Sequence, residues 1–223
     1  MIEDIIYYYE KYLPEYYVFY DDAIAFEKEK HLKPILRGIQ KLELKNVSFH
    51  LPNGINAGEI DEELAELLKS CSFRTLRLSL ETSSPLRQME SGGKVTNRQF
   101  EKSVSHLHRA GYENWEIETY IMIGMPGQSF KEVRDDIAYV FEKGAVPYLV
   151  AYSPTPGSYY YKKYFNRKLN DPLLQNNTLI SKHNPNFNEE EVRLLRKEVK
   201  AVSYTHLRAH ETSLHLVCRL LLE

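Results

Sequence analysis

IETYIMIGMPGQS, residues 117–129, is the stretch on which the reading of the fold turns. Its first seven residues are an apolar, β-branched-rich run of the kind that forms a buried strand. Gly124-Met-Pro-Gly127 then breaks the strand, and Ser129-Phe-Lys-Glu132 fits a capping box that opens a helix. A strand that ends on two glycines and re-enters a helix brings its backbone close to something. Without a Cβ the turn adopts conformations closed to other residues and admits a planar or amino-acid-like ligand.

Outward from this stretch the same rhythm recurs. YYVFYDD (16–22), VSFHLPN (47–53), LRLSLET (76–82), EIETYIMIG (116–124) and PYLVAYSP (147–154) read as strands, continuous enough in apolar character to predict cover on both faces. Between them lie helical patterns. One runs over 2–12 and another from about His31 to Leu42, with Leu32, Ile35, Leu36 and Ile39 on one face. A third opens at Asp61-Glu-Glu, anionic where the dipole favours it, and carries Leu64, Leu67 and Leu68. Thr96-Asn-Arg-Gln99 is a further capping box, followed by Phe100, Val104 and Leu107 and stopped at Gly111. The helix after Ser129 carries Val133, Ile137 and Val140 and stops at Gly144. The order is a helix, four βα units and a strand, which predicts a parallel α/β sheet, barrel-like or doubly wound.

Composition sets outer limits. The 223 residues and their apolar content allow one sizeable core, and a net charge of −2 gives no electrostatic footing for nucleic acid or an anionic membrane. Cys71 and Cys218 are too few and too far apart for a disulfide scaffold and fit a reducing compartment. With no apolar run of membrane-spanning length, a cytoplasmic location is the expectation. The 17 tyrosines read as packing and amphipathic surface.

After Gly157 the rhythm fades. Residues 158–188 read as irregular, with Asn-Asp-Pro and Asn-Pro breaks, and 188–200 as a charged helix. The end, SYTHLRAHETSLHLVCRLLLE (203–223), gathers His206, His210, His215 and Cys218, a spacing that suggests a metal cluster only weakly. The stretch resembles translated adapter read-through and is set aside. The expected division is therefore a barrel portion over 1–165, an extension over 166–202 and a non-native tail over 203–223.

Ligands of parallel α/β sheets bind outside the carboxyl ends of the strands. That edge receives Asp21 and Asp22, His50 with Asn53, Ser79 with Glu81, the Gly124–Gly127 turn with Pro126, and Tyr152 with Ser153. Bland readings stand beside these: Asp22 as a cap, Asn53 as part of a Pro-Asn-Gly turn, Lys94 as a solvated side chain after Gly92-Gly93. Glu81 is harder to dismiss, because a carboxylate ending an apolar run needs a partner or a ligand with hydroxyl or cationic groups.

LRLSLETSSPLRQMESGGKVTNRQFEKSVSHLHRAG, then YIMIGMPGQSFKEV and AYSPTPGS, together resemble the radical S-adenosylmethionine enzymes. The nearest flavour is the bacterial group that often carries an upstream cobalamin-binding domain. The resemblance implies an α/β fold, a partial (βα)6 TIM-like barrel lacking its first strand, with outer helices around a parallel sheet. It implies S-adenosylmethionine across the open top, with Asp21, Asp22 and His50 near the methionyl amino group, Ser79 and Glu81 at the ribose hydroxyls, and Lys94 (Arg98 as its alternate) at the methionyl carboxylate. Tyr120 and Met122 would face ribose and adenine, Gly124 and Pro126 would form the adenine-side turn, and Tyr152 would complete the adenine pocket. It further implies a [4Fe–4S] cluster, a cobalamin in some members, a small-molecule substrate and an electron donor such as flavodoxin or ferredoxin, with neither nucleic acid nor membrane as partner.

One departure is large. The family's Cys-x3-Cys-x2-Cys loop, whose three thiolates hold the cluster, is absent, and neither Cys71 nor Cys218 replaces it. The expectation is an N-terminally truncated piece, inactive alone, with the cluster ligands upstream. Two other readings are a non-redox α/β nucleotide- or metabolite-binding domain and a scaffold built on a decayed barrel.

Overall fold

The computed structural model describes residues 1–74, 76–165, 184 and 186–208, with side chains as far as residue 201. Six strands, β1 (Tyr16–Val18), β2 (Ser48–His50), β3 (Ile55–Asn56), β4 (Leu76–Glu81), β5 (Ile117–Ile123) and β6 (Val146–Ala151), pair in parallel throughout. β1 pairs with β2, and β3-β4-β5-β6 form a second sheet in chain order. Among the described residues a single bridge, between Phe49 and Phe73, joins the two: Phe49 N–H donates to the Ser72 carbonyl and Arg74 N–H donates to that of Phe49. The outer layer is α1 (Ile2–Tyr12), α2 (Leu32–Lys41), α3 (Glu62–Ser70), α4 (Pro85–Glu90), α5 (Asn97–Arg109), α6 (Phe130–Glu142), α7 (Tyr159–Tyr164) and α8 (Glu189–Arg208).

The predicted βα order is present, with corrections. The strand expected over 47–53 ends at His50, and a short strand that was not expected, β3, follows at Ile55–Asn56. Gly54, at φ 84°, closes a turn by donating its N–H to Leu51 O, and a Cβ there would lie 2.7 Å from Tyr120 Cε2. β1 ends at Val18, so Asp21 and Asp22 lie in the turn beyond it. The expectation of strands covered on both faces also fails. On β4 the side chains of Leu76, Leu78 and Leu80 are buried while Arg77, Ser79 and Glu81 are partly open. β5 repeats the alternation, with Ile117, Thr119, Ile121 and Ile123 buried and Glu118, Tyr120 and Met122 partly open. Tyrosine and methionine made a one-sided strand look uniformly apolar. One face packs on helices and the other lines a cavity.

The helix signals act locally and hold. Thr96 and Gln99 form the capping box of α5, and Ser129 and Glu132 that of α6. Within the stretch expected to be irregular, α7 starts at Ser158, whose Oγ accepts the N–H of Tyr161. α4 was not anticipated, although Pro85 at its first turn is a start signal. α8 opens on reciprocal bonds between Asn188 and Glu191 and runs across the expected boundary at 203 as far as Arg208. His210, His215 and Cys218 lie outside the described residues, as does the side chain of His206. Among the described residues no helix is long and apolar enough to cross a membrane.

Asp61 caps α3 through the Leu64 N–H and meets Lys28 Nζ at 2.9 Å and Lys33 Nζ at 3.2 Å. Burial pushes its carboxyl up, but that N–H and the two ammonium groups outweigh burial and bring it to about 2. The folded value lies below the unfolded one, so this contribution is fully present above about pH 4 and is lost as pH falls toward about 2. Asp61→Ala is expected to cost about 1 kcal/mol near neutrality, typical of a lost N-cap. Thermal unfolding followed from neutral to acid pH should show the deficit closing across that window.

Candidate functional site

At the carboxyl edge of β3–β6 two chambers open side by side, one of about 660 Å³ and one of about 670 Å³. Glu81, Lys94 and Met122 line both and form the partition. The first chamber is walled by the turn after β1 (Asp22 to Phe26), by the Pro52–Asn56 segment, and by Glu59, Ser79, Tyr120 and Val150. Met89, Met125, Tyr152, Ser153, Ser158 and Tyr160 are among the residues around the second. Each volume falls in the range of small-molecule sites.

Backbone geometry puts Glu81 at the partition. The register between β4 and β5 shifts between Ser79 and Glu81, so Leu80 is an extra residue in the strand. Glu81 itself has φ 70°, a left-handed conformation that costs a non-glycine residue of order 1–3 kcal/mol and persists only where its surroundings impose it. Its Oε1 stands 3.4 Å from Lys94 Nζ. Lys94 is 67% exposed and follows Gly92 and Gly93, both at positive φ.

The other candidates divide by position. Asn53 Nδ2 donates to Asp22 Oδ1 at 2.8 Å and to Tyr20 O at 3.1 Å, tying the turns after β1 and β2 at the mouth of the first chamber. Ser79 Oγ reaches Ile55 O at 3.4 Å, and Tyr120 Oη donates to Pro52 O at 2.5 Å. On the same strands, Arg77 pairs with Glu118 at 2.6 Å and lies over the Tyr148 ring. Tyr152 stacks on Phe165 and leans on Tyr160, and burial pushes its hydroxyl up to about 12. Asp22, Asn53, Ser79, Tyr120 and Tyr152 thus share one cavity system with the partition.

Five candidates stand elsewhere. Asp21 accepts the Ala23 N–H and faces a groove beside α1. His50 lies against Ser48 Oγ at 3.4 Å and the edge of Tyr16. Arg98 is exposed on α5. Gly124 and Pro126 are buried behind the chamber wall, and the turn they belong to satisfies itself. Gln128 Oε1 accepts the N–H groups of Gly124 at 2.9 Å and Met125 at 3.1 Å, and its Nε2 donates to Met122 O. From this turn only Met125 reaches a chamber.

Sequence reasoning missed Asn56, Glu59, Met89 and Tyr160 as lining residues, and the buried polar groups behind Glu81 altogether. No cluster-binding set exists among the described residues. No group of three His, Cys, Asp or Glu side chains that could hold a metal is present there. Cys71 is buried with Sγ on Leu36 O, and burial pushes its thiol up, the reverse of a ligand thiolate.

The sequence profile described as the radical SAM superfamily matches residues 10–140, more than half of the chain. No curated protein matches. Among solved structures, the chain is similar to the radical S-adenosylmethionine methyltransferase TsrM from Kitasatospora setae, determined with cobalamin and a [4Fe–4S] cluster bound. Identity is 17%, the TM-score is 0.55, and the match covers 67% of this chain and 28% of that one. Coproporphyrinogen III oxidase (HemN) from Escherichia coli, a radical SAM enzyme, matches at 12% identity and a TM-score of 0.47, over 56% of this chain and 29% of that one. The first likeness shows the fold, and the chain spans little more than a quarter of that protein's length.

Proposed function

The chain belongs to the radical SAM superfamily, and we propose that its two chambers hold S-adenosylmethionine in a radical enzyme. The observation that carries this reading is the partition: a carboxylate held in a left-handed backbone and an ammonium beside it, at a strand edge between a chamber that also presents Asp22, Asn53 and Ser79 and one rich in methionine and tyrosine. The donor set suits the ligand. Ser79 and Glu81 accept ribose hydroxyls, Lys94 leaves Glu81 to meet the methionyl carboxylate, and Asp22 with Asn53 takes the amino group. Met122, Met125 and Tyr152 give the purine an apolar bed.

When bound and reductively cleaved, S-adenosylmethionine supplies a 5′-deoxyadenosyl radical that abstracts hydrogen from a small-molecule substrate. The [4Fe–4S] cluster does not fit the described residues, so we assign its thiolates to protein outside them. The same holds for a cobalamin, and a flavodoxin or ferredoxin is the proposed electron donor. Alone, this chain binds and orients the adenosyl group without turning it over. The missing thiolate set favours one other reading, a nucleoside-binding α/β domain without redox chemistry. An in-frame Cys-x3-Cys-x2-Cys in the DNA preceding codon 1 separates the two.

Calorimetric titration of the chain with S-adenosylhomocysteine tests the binding claim. Saturable binding is expected, weakened about tenfold in Glu81→Gln and in Lys94→Met, the effect of losing one charged hydrogen bond. No heat of binding from the folded wild-type chain, or equal affinity in both variants, would overturn the site.

A further inference from the structure

A buried polar knot lies directly behind Glu81. Asp136, on the inward side of α6, is 2% exposed. Its Oδ1 accepts three hydrogen bonds from the two residues that follow Glu81: Ser83 N–H at 2.7 Å, Ser83 Oγ at 2.6 Å and Thr82 Oγ1 at 3.3 Å. Its Oδ2 is buried with no partner. Gln88 Nε2 holds the Thr82 carbonyl at 2.8 Å and Asn97 Oδ1 at 2.7 Å, and Asn97 Nδ2 holds the Ser83 carbonyl at 2.8 Å. Asn97 opens α5, three positions after Lys94, with buried Val95 and the cap Thr96 between. The two charged residues of the partition therefore spring from either side of one buried polar knot.

We propose that Asp136 is a positioning residue for ligand binding: through Thr82 and Ser83 it imposes the left-handed backbone at Glu81, and through Gln88 and Asn97 the same knot registers the segment carrying Lys94. A carboxylate buried to this degree is costly, and a purely structural link between β4 and α6 is served equally well by apolar packing. Three donors converging on one oxygen next to a strained residue are what fixing a functional carboxylate requires. Burial pushes the Asp136 carboxyl up against the pull of the Ser83 and Thr82 donors, so the knot is kept at an energetic cost. The proposal rests on the chambers being an adenosyl site.

The test uses the full chain, S-adenosylhomocysteine as the titrant, and the variants Asp136→Ala, Asp136→Asn and Ser83→Ala. Asp136→Ala should weaken binding about tenfold, and Ser83→Ala about threefold. Asp136→Asn, which keeps Oδ1 as acceptor, should stay within about twofold of wild type. A crystal structure of Asp136→Ala should show Glu81 returned to negative φ. A lower melting temperature with unchanged affinity would make the knot merely structural and overturn the proposal. If Asp136→Ala does not fold, Ser83→Ala decides, and wild-type affinity there overturns it. If wild type itself does not bind, the adenosyl reading fails, while φ at Glu81 in the variant still decides whether the knot positions that residue.

Discussion

Phe49→Ala is expected to remove about 4 kcal/mol of unfolding free energy, the usual scale for deleting a buried phenylalanine side chain. Phe49 is 2% exposed and stacks between Phe73 at 5.3 Å and Tyr17 at 5.4 Å, with Phe19 at 5.9 Å. These rings come from β1, β2 and the segment before β4, so the cavity left behind would sit on the seam between the two sheets. Phe49 is also on the backbone bridge that joins the two sheets. Loss of the ring should therefore loosen β1, β2 and the helices α1 and α2 as a unit before the β3–β6 sheet melts. Urea unfolding would show this as a lower midpoint with a reduced slope, because less surface is exposed in the main transition. Leu78→Ala, equally buried but inside the four-stranded sheet, should lower the midpoint and leave the slope unchanged. A loss under about 2 kcal/mol for Phe49→Ala, with an unaltered slope, would mean the seam carries little of the stability.

The parts of this fold that were legible in the sequence are those set by neighbouring residues. Thr96 with Gln99 and Ser129 with Glu132 start their helices by local bonds, and the structure places both where the spacing did. What was not legible depends on residues distant in the chain. The Pro52-Asn53-Gly54 turn is local, but that Ile55 and Asn56 beyond it pair with β4, and that Gly54 lies against the Tyr120 ring, no local pattern encodes. The open face of β5 was hidden because Tyr120 and Met122 count as apolar in a periodicity while serving a half-open wall. For the site, Glu81 could be picked out at the end of its strand, but the extra residue Leu80 and the positive φ arise only when β4 meets β5. Asp136 did carry a signal. It falls between Val133 and Ile137 in the apolar stripe of α6, where a lone carboxylate must be paired, a signal the sequence reading did not use.

Gln128→Ala is expected to cost about 3 kcal/mol and to disorganise the Gly124–Gly127 turn. Gln128 is fully buried, and its amide does the work of three backbone partners. Truncation leaves the N–H groups of Gly124 and Met125 and the carbonyl of Met122 without partners, each at a cost of about 1–3 kcal/mol before relaxation. Asn184 bonds the backbone carbonyls of Met125 and Gln128 from the other side, so the turn should stay anchored at one flank and fray at the other. Gln128→Glu separates the acceptor from the donor. It keeps the oxygen that serves Gly124 and Met125 and sets a second oxygen against the Met122 carbonyl. A carboxyl buried there titrates above its unfolded value of about 4.3, so folding is penalised at higher pH and the penalty shrinks as pH falls toward that value. Melting temperatures of the two variants should therefore converge on different limits: Gln128→Glu recovers toward wild type between about pH 7 and about pH 5, and Gln128→Ala does not. A pH-independent deficit in Gln128→Glu would show that the Met122 carbonyl finds another donor. In wild type the amides of Gly124 and Met125 are spent on Gln128, and the glycines serve the bend itself.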